Sequence, residues 1–209
     1  LISAASFIVG LIFTIRLPNP KQKKEIKPGT TKQVILKNKF LFLSLLLRHI
    51  GAAAVWTILP IMIIEKLGGE LYHISIVYVA NTLTAFILMN IMASKIHLSN
   101  VTKFKIGIGC SVFVFVGLSV VTEWWMAMPF MALVGATWAF LFIGGNFHLM
   151  ENNPRSTSTG IFSSTLSIAI VIGPIIAGTI AFTFDYISVM YFAITIIVIA
   201  FIVSLKIKN

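Results

Sequence analysis

Residues 151–178, ENNPRSTSTGIFSSTLSIAIVIGPIIAG, begin with charge, continue through serines and threonines, and end in an apolar run that a Gly-Pro pair interrupts. The surrounding stretch 157–182 exceeds the roughly 20 residues that a helix needs to cross the hydrocarbon core of a membrane. Small side chains let helix backbones approach closely in lipid, and Gly and Pro allow a helix to bend. The segment therefore predicts a membrane helix that packs closely against another helix.

Similar apolar runs recur through the whole chain, which is 58% hydrophobic and 11% charged, with a mean hydropathy of +0.99. This composition predicts an all-α membrane protein rather than a soluble domain. The connections between the runs are short, so neighbouring helices should be antiparallel and form a compact six-helix bundle. The predicted spans are about 40–64, 73–93, 106–122, 124–147, 157–182 and 187–205.

The first 39 residues have a different character from the six spans. Residues 1–16 are apolar but too short to cross, and their positive charge follows the apolar run, unlike that of a signal peptide. We interpret them as the end of a truncated transmembrane helix, so the chain is expected to be the C-terminal part of a longer protein. Residues 17–39 predict a basic cytoplasmic linker. Two interpretations are open: a solvated connector that only fixes topology, as charged loop segments usually are, or a linker with a short amphipathic helix near residues 34–36 on the membrane surface.

The net charge of +10 is unevenly distributed along the chain. Basic residues concentrate in the first, third and fifth connections and in the C-terminal tail, while the intervening connections hold Lys66 alone among basic residues. This alternation follows the positive-inside rule and predicts a multi-pass plasma membrane protein with a cytoplasmic C-terminus in contact with anionic lipid. No aromatic residues accompany the lysines of the linker, which argues against nucleic acid as a partner.

Two ridges of small residues lie on adjacent faces of the fifth span, at spacings of four residues. They predict contact with another helix, either in a second bundle or within the same one. The ridge residues are Ser156, Gly160 and Ser164 on one face and Ser163 and Ser167 on the other. Candidate positions for helix bends are Pro60, Gly173, Pro174 and Gly178.

Arg48 is the only full charge well inside a span, about 13 Å along the helix from Lys39. Two interpretations are open: the side chain faces a cavity or partner, or it extends to the cytoplasmic headgroups. His49, Trp56 and Pro60 share a neighbouring stripe with Ala53. That stripe predicts either the lining of an aqueous pathway or ordinary packing.

Other polar and aromatic residues lie at membrane depth. Asn81 and Asn90 are nine residues apart, on opposite faces of the second span, and at least one amide should find a partner inside the bundle. Trp138 lies mid-span, away from the interfacial positions typical of tryptophan, and is a candidate cavity residue. Asn146, His148 and Glu151 are interpreted as polar residues of a helix end.

Catalytic and metal-binding patterns are weak in this sequence. Its four histidines are scattered, no serine has a GxSxG context, and Cys110 is the single cysteine. We therefore expect neither an enzyme nor a cofactor or metal site.

The chain resembles the C-terminal half of a major facilitator superfamily transporter. The resemblance covers nearly all of the chain: a helix remnant, a basic loop, six spans and a cytoplasmic tail in that order. Its most specific part is Asn153-Pro154-Arg155 followed by a Ser-Thr-Gly-Ile-Phe-Ser-Ser run and Gly173-Pro174 with Gly178. In the family, the loop after the eighth helix often carries the motif Gly-x-x-x-Asp-Arg-x-Gly-Arg-Arg. In this chain Asn90 stands at the first glycine of the motif and Ser94-Lys95 at its Asp-Arg pair, so the acidic residue is absent.

The resemblance implies a secondary active transporter that moves a small solute by alternating access, with a proton as a candidate coupling ion and a missing N-terminal six-helix bundle as partner. Efflux of amphiphilic compounds is favoured over organic-anion transport. The alternative is a membrane scaffold that does not transport. The implied roles are substrate pathway for Arg48, His49, Trp56, Asn81 and Trp138, inter-bundle interface for the two small-residue ridges, and cytoplasmic gate for Lys95, Glu151 and Arg155.

Overall fold

The computed structural model describes residues 31–94 and 96–208. Regular structure in this part of the chain is entirely helical, and six of its helices are long and apolar enough to cross a membrane. This confirms the prediction of an all-α chain with six potential spans. The helices are α1 (Thr31–Lys37), α2 (Lys39–Glu65), α3 (Leu71–Ser94), α4 (Asn100–Ser119), a 3₁₀ turn (Trp124–Met126), α5 (Ala127–Asn152), α6 (Arg155–Thr183) and α7 (Tyr186–Ser204).

The largest difference from the expected boundaries is at the start of α4. The helix begins at Asn100, before the apolar run, because the Ser99 hydroxyl accepts a hydrogen bond from the Thr102 amide and caps it. Lys103 and Lys105, which precede the predicted span 106–122, therefore lie in the helix rather than in the loop before it. Lys103 is buried, and the Lys105 ammonium donates to the Ile207 carbonyl oxygen at 2.9 Å.

Several predictions for the N-terminal part of the chain fall outside the described residues. These are the truncated helix at residues 1–16 and most of the linker at 17–39. The described end of the linker forms α1, where Val34 is buried in the apolar cluster that contains Leu41 and Phe162. This short helix is therefore docked on the bundle through Val34.

The six long helices pack as two related triplets. Helix α2 makes its most extensive contacts with α6 and α7, and α5 makes its own with α3 and α4. The triplets meet through α4 and α7. The two triplets are related by a simple exchange of helices: α2 with α5, α3 with α6 and α4 with α7. Under this exchange the contact of α2 with α6 becomes that of α5 with α3, the contact of α2 with α7 becomes that of α5 with α4, and the contact between α4 and α7 stays the same. Short connections make successive helices antiparallel, so helices three positions apart in the chain, such as α2 and α5, run in opposite directions. The exchange therefore relates the consecutive helices α2–α4 to α5–α7 with inverted direction.

Glycines allow the closest helix contacts in both triplets. A Cβ atom added to Gly173 in α6 would lie 2.6 Å from the Ala53 Cβ and 2.9 Å from the Ile50 carbonyl oxygen in α2. In the other triplet, a Cβ on Gly135 in α5 would overlap the Asn81 carbonyl oxygen in α3. Both helix pairs therefore touch backbone to backbone, and Gly173, predicted as a bend position, lies at a packing contact.

The helices differ strongly in how much of their surface the bundle covers. In the apolar segment of α2, 67% of residues are buried, against 11% in α3 and 22% in α6. Helix α2 is thus the centre of the bundle, whereas α3 and α6 leave broad faces uncovered. These two helices are also partners in the exchange that relates the triplets.

Candidate functional site

Arg48 lies inside the bundle, with its side chain fully buried. Its Nε and Nη2 atoms both lie 3.2 Å from the Ser111 hydroxyl oxygen of α4 and donate to it. Nη2 also donates to the Thr137 hydroxyl of α5 at 3.5 Å. The guanidinium thus extends sideways across the bundle interior, and of the two interpretations left open by the sequence, extension to the headgroups is wrong.

The two hydroxyl groups are oriented by their own helices. Ser111 donates to the Gly107 carbonyl at 2.7 Å, and Thr137 donates to the Val134 carbonyl at 2.9 Å. Since each hydroxyl has one proton, these bonds leave only its oxygen lone pairs for Arg48. Helices α4 and α5 therefore present two fixed acceptors to the guanidinium.

The positive charge of Arg48 has no carboxylate partner within the described residues. The described carboxylates lie at helix ends or in loops, at Glu65, Glu70, Glu123, Glu151 and Asp185. The Nη1 atom of Arg48 is buried and has no hydrogen-bond partner in the described part of the chain. The ring of Trp138 lies 5.9 Å from Cζ, a distance at which a cation is attracted to an aromatic face.

Aromatic rings extend from this arginine across the bundle. The His49 ring lies 5.3 Å from the rings of both Trp56 and Trp138, and Trp138 continues to Phe142 at 5.4 Å. His49 Nδ1 and Trp56 Nε1 are buried and have no hydrogen-bond partners in residues 31–94 and 96–208. The structure therefore brings together four of the five residues predicted for the substrate pathway, and we call Arg48, His49, Trp56 and Trp138 the Arg48 cluster.

Pro60 shapes the helix that carries this cluster. Proline has no amide proton, so in α2 the Trp56 carbonyl four residues earlier loses its usual helical partner. The Tyr78 hydroxyl of α3 donates to that carbonyl at 3.0 Å. Tyr78 was not predicted from the sequence, where the carbonyl freed by Pro60 was the one signal that a donor was needed.

Replacing Tyr78 with Phe should destabilise the bundle by about 1 kcal/mol, because the Trp56 carbonyl then has no partner. In a Pro60→Ala background the restored amide can take that carbonyl, and the cost of Tyr78→Phe should fall to near zero. Denaturant unfolding of the four proteins of this double-mutant cycle measures the difference. An equal cost in both backgrounds would contradict the assigned hydrogen bond.

The fifth predicted pathway residue lies elsewhere. Asn81 is half-buried in α3 at the backbone contact with Gly135, and no described contact joins it to the Arg48 cluster. Asn90 is exposed, and its amide donates to the Phe86 carbonyl of its own helix at 2.7 Å.

The small-residue ridges of α6 face outward from the bundle. Ser156, Gly160, Ser163, Ser164 and Ser167 are all exposed. A Cβ atom added to Gly160 would have no neighbour within 4 Å. Helix α1 borders this surface, and the two helices line an open pocket of about 620 Å³. Among the described residues, the ridges are therefore left uncovered and available to a partner.

The predicted cytoplasmic gate is partly described. Glu151 accepts a hydrogen bond from the Asn100 amide at the start of α4, and Glu151 and Arg155 line one pocket of about 380 Å³. Lys95 lies outside the described residues. His148 lines a different pocket, with Lys37, Lys206 and Lys208.

Ser111 and Thr137 were also missed by the sequence analysis. Hydroxyl residues are common in membrane helices, and nothing in their spacing links residues 48, 111 and 137. No group of three metal-ligating side chains occurs among the described residues. No family model matches the chain, and no curated protein matches it either.

Proposed function

We propose that this chain is the second six-helix bundle of a secondary active transporter of the major facilitator type, which moves a small solute across the membrane by alternating access. The observation that carries the proposal is the packing of the six helices as two exchangeable triplets. Inverted three-helix repeats of this kind build each half of such transporters. An arbitrary bundle of six apolar helices has no reason to repeat its contacts in this way.

The uncovered faces of α3 and α6 support a partner bundle. In lipid, a face that meets only acyl chains gains nothing from serine and glycine, whereas a helix contact does. The face of α6 that carries Gly160 is exposed and rich in serine. We assign it to the contact with the missing N-terminal bundle, with Glu151 and Arg155 at the cytoplasmic gate.

The Arg48 cluster supports a solute pathway. Buried ionisable groups at membrane depth are costly, and they occur where a pathway or a bound partner uses them. The surrounding indole and phenyl rings suit an amphiphilic compound, and efflux driven by a proton gradient across the plasma membrane is the proposed mode. The distribution of lysine and arginine supports a cytoplasmic C-terminus.

Transport by the full-length protein in proteoliposomes tests this proposal. With a panel of labelled amphiphilic compounds, we expect counterflow: excess unlabelled solute inside the vesicles accelerates entry of the labelled one. Protein-free vesicles correct for passive entry. A full-length protein that folds, binds members of the panel and exchanges none of them would contradict transport and favour a membrane scaffold.

A further inference from the structure

We propose that the Arg48 cluster binds the carboxylate head of an amphiphilic anion. This inference rests on the proposed transport function and adds the charge of the solute to it. The cluster provides hydrogen-bond donors and a positive charge but lacks the matching acceptor.

The Arg48 cluster contains buried hydrogen-bond donors that have no described acceptor. Arg48 Nη1 carries two protons and Trp56 Nε1 carries one, and neither atom has a described acceptor. Neither group can act as an acceptor instead. His49 Nδ1 also has no described partner, and its ring lies between those of Trp56 and Trp138. Buried donors without acceptors are rare in proteins, and together they indicate a ligand with acceptor oxygens.

The positive charge of Arg48 is not balanced by a negative charge among the described residues that contact it. The guanidinium is fully buried, and its described partners are the neutral hydroxyls of Ser111 and Thr137 and the face of Trp138. Taking a lone cation out of water is expensive, and neutral dipoles offset only part of that cost. A carboxylate at Nη1 supplies the opposite charge, and arginine binds carboxylates through paired N–H donors.

The Arg48 cluster extends from the interior of the bundle towards its surface. Arg48 and His49 are buried, whereas Trp56 and Trp138 are only half-buried. The cluster therefore reaches the surface through its two indoles. The Trp138 ring lies over the guanidinium, 5.9 Å from Cζ, and the route that we propose for the carboxylate passes this indole. The apolar body of the solute then packs against Trp138 and Phe142, which accounts for both the head and the body of an amphiphilic anion.

Benzoate, benzamide and benzylammonium test the charge of the ligand, because they share one ring and differ in the head group. Binding to the purified full-length protein is followed by tryptophan fluorescence. We expect benzoate to bind roughly 10- to 100-fold more tightly than benzamide, as one charge-assisted hydrogen-bonded pair provides, and benzylammonium to bind most weakly. Replacing both Trp56 and Trp138 with Phe should remove the benzoate response, while Trp125→Phe, at an exposed position outside the cluster, should retain it.

Arg48 itself is tested by two substitutions. Arg48→Gln should abolish the preference for benzoate over benzamide, and Arg48→Lys should restore part of it. If Arg48→Gln does not fold, the preference of the wild-type protein for benzoate and the two tryptophan variants still test whether the cluster binds an anion. Equal binding of the three probes, a preference for benzylammonium, or a benzoate response that persists when both Trp56 and Trp138 are replaced with Phe would overturn the inference.

Counterflow separates this inference from the proposed function. Exchange of benzamide or benzylammonium without any of benzoate would leave transport standing and overturn the anion site. Selective benzoate binding with Trp56 and Trp138 as reporters, but without exchange, would support the anion site and contradict transport.

Discussion

Gly173→Leu is expected to separate α2 from α6 and to lower the free energy of unfolding of the bundle by about 3 kcal/mol or more. A Cβ atom at this position would lie 2.9 Å from both the Ala54 nitrogen and the Ile50 carbonyl oxygen. These are backbone atoms, so no side-chain rotation can make room for the added carbons. The whole of α6 must move away from the most buried helix of the bundle.

Gly178→Leu is the matched control, since it lies five residues further along the same helix and a Cβ atom there has no neighbour within 4 Å. Its effect on the packing within this bundle should be less than about 1 kcal/mol. Denaturant unfolding of the purified variants in detergent, with recovery of monodisperse protein as a second readout, compares the two. Equal losses for Gly173→Leu and Gly178→Leu would contradict the assigned contact between α2 and α6.

Gly160→Leu is expected to abolish transport by the full-length protein while leaving its membrane insertion and unfolding midpoint unchanged. Gly160 has open space on the exposed face of α6, so a larger side chain meets no atom of its own bundle. The same side chain would obstruct the second bundle that we place against this face. Counterflow measured beside thermal unfolding separates the two effects.

Val116→Leu supplies the control for that experiment. Val116 is exposed on α4, a helix that we do not place against the second bundle, so added bulk there should leave counterflow at the wild-type level. Unchanged counterflow in Gly160→Leu would refute the interface role of α6. A loss of counterflow in both variants would show sensitivity to any added bulk rather than to that face.

The helices were predictable because a helix in lipid must satisfy its backbone internally and requires a long apolar run. The start of α4 was not, because the Ser99 cap extends it into a polar segment that hydropathy assigns to a loop. Periodicity likewise identified the small-residue face of α6. It gave no indication that Gly173 contacts α2 whereas Gly160 faces outward, because that depends on which helices are neighbours.

The Arg48 cluster was likewise predictable from the sequence only in part. The sequence places a charge, an imidazole and two indoles at membrane depth, and four of the five predicted pathway residues meet in the structure. The direction of the Arg48 side chain depends on Ser111 and Thr137, which are 63 and 89 residues away in the chain. Such distant partners are set by tertiary packing, and no local pattern in the sequence identifies them.

Alternating access is the central claim, and cysteine accessibility tests it without knowledge of the solute. Thr57 is an exposed residue on α2, next to Trp56, and its hydroxyl bonds only within its own helix, to the Ala53 carbonyl. Thr57→Cys in a cysteine-free full-length protein, with Cys110→Ser, is treated with a membrane-impermeant maleimide from each side of the vesicle in separate samples. Labelling from both sides is the predicted result. Labelling from neither side, or from one side under every gradient applied, would contradict the account.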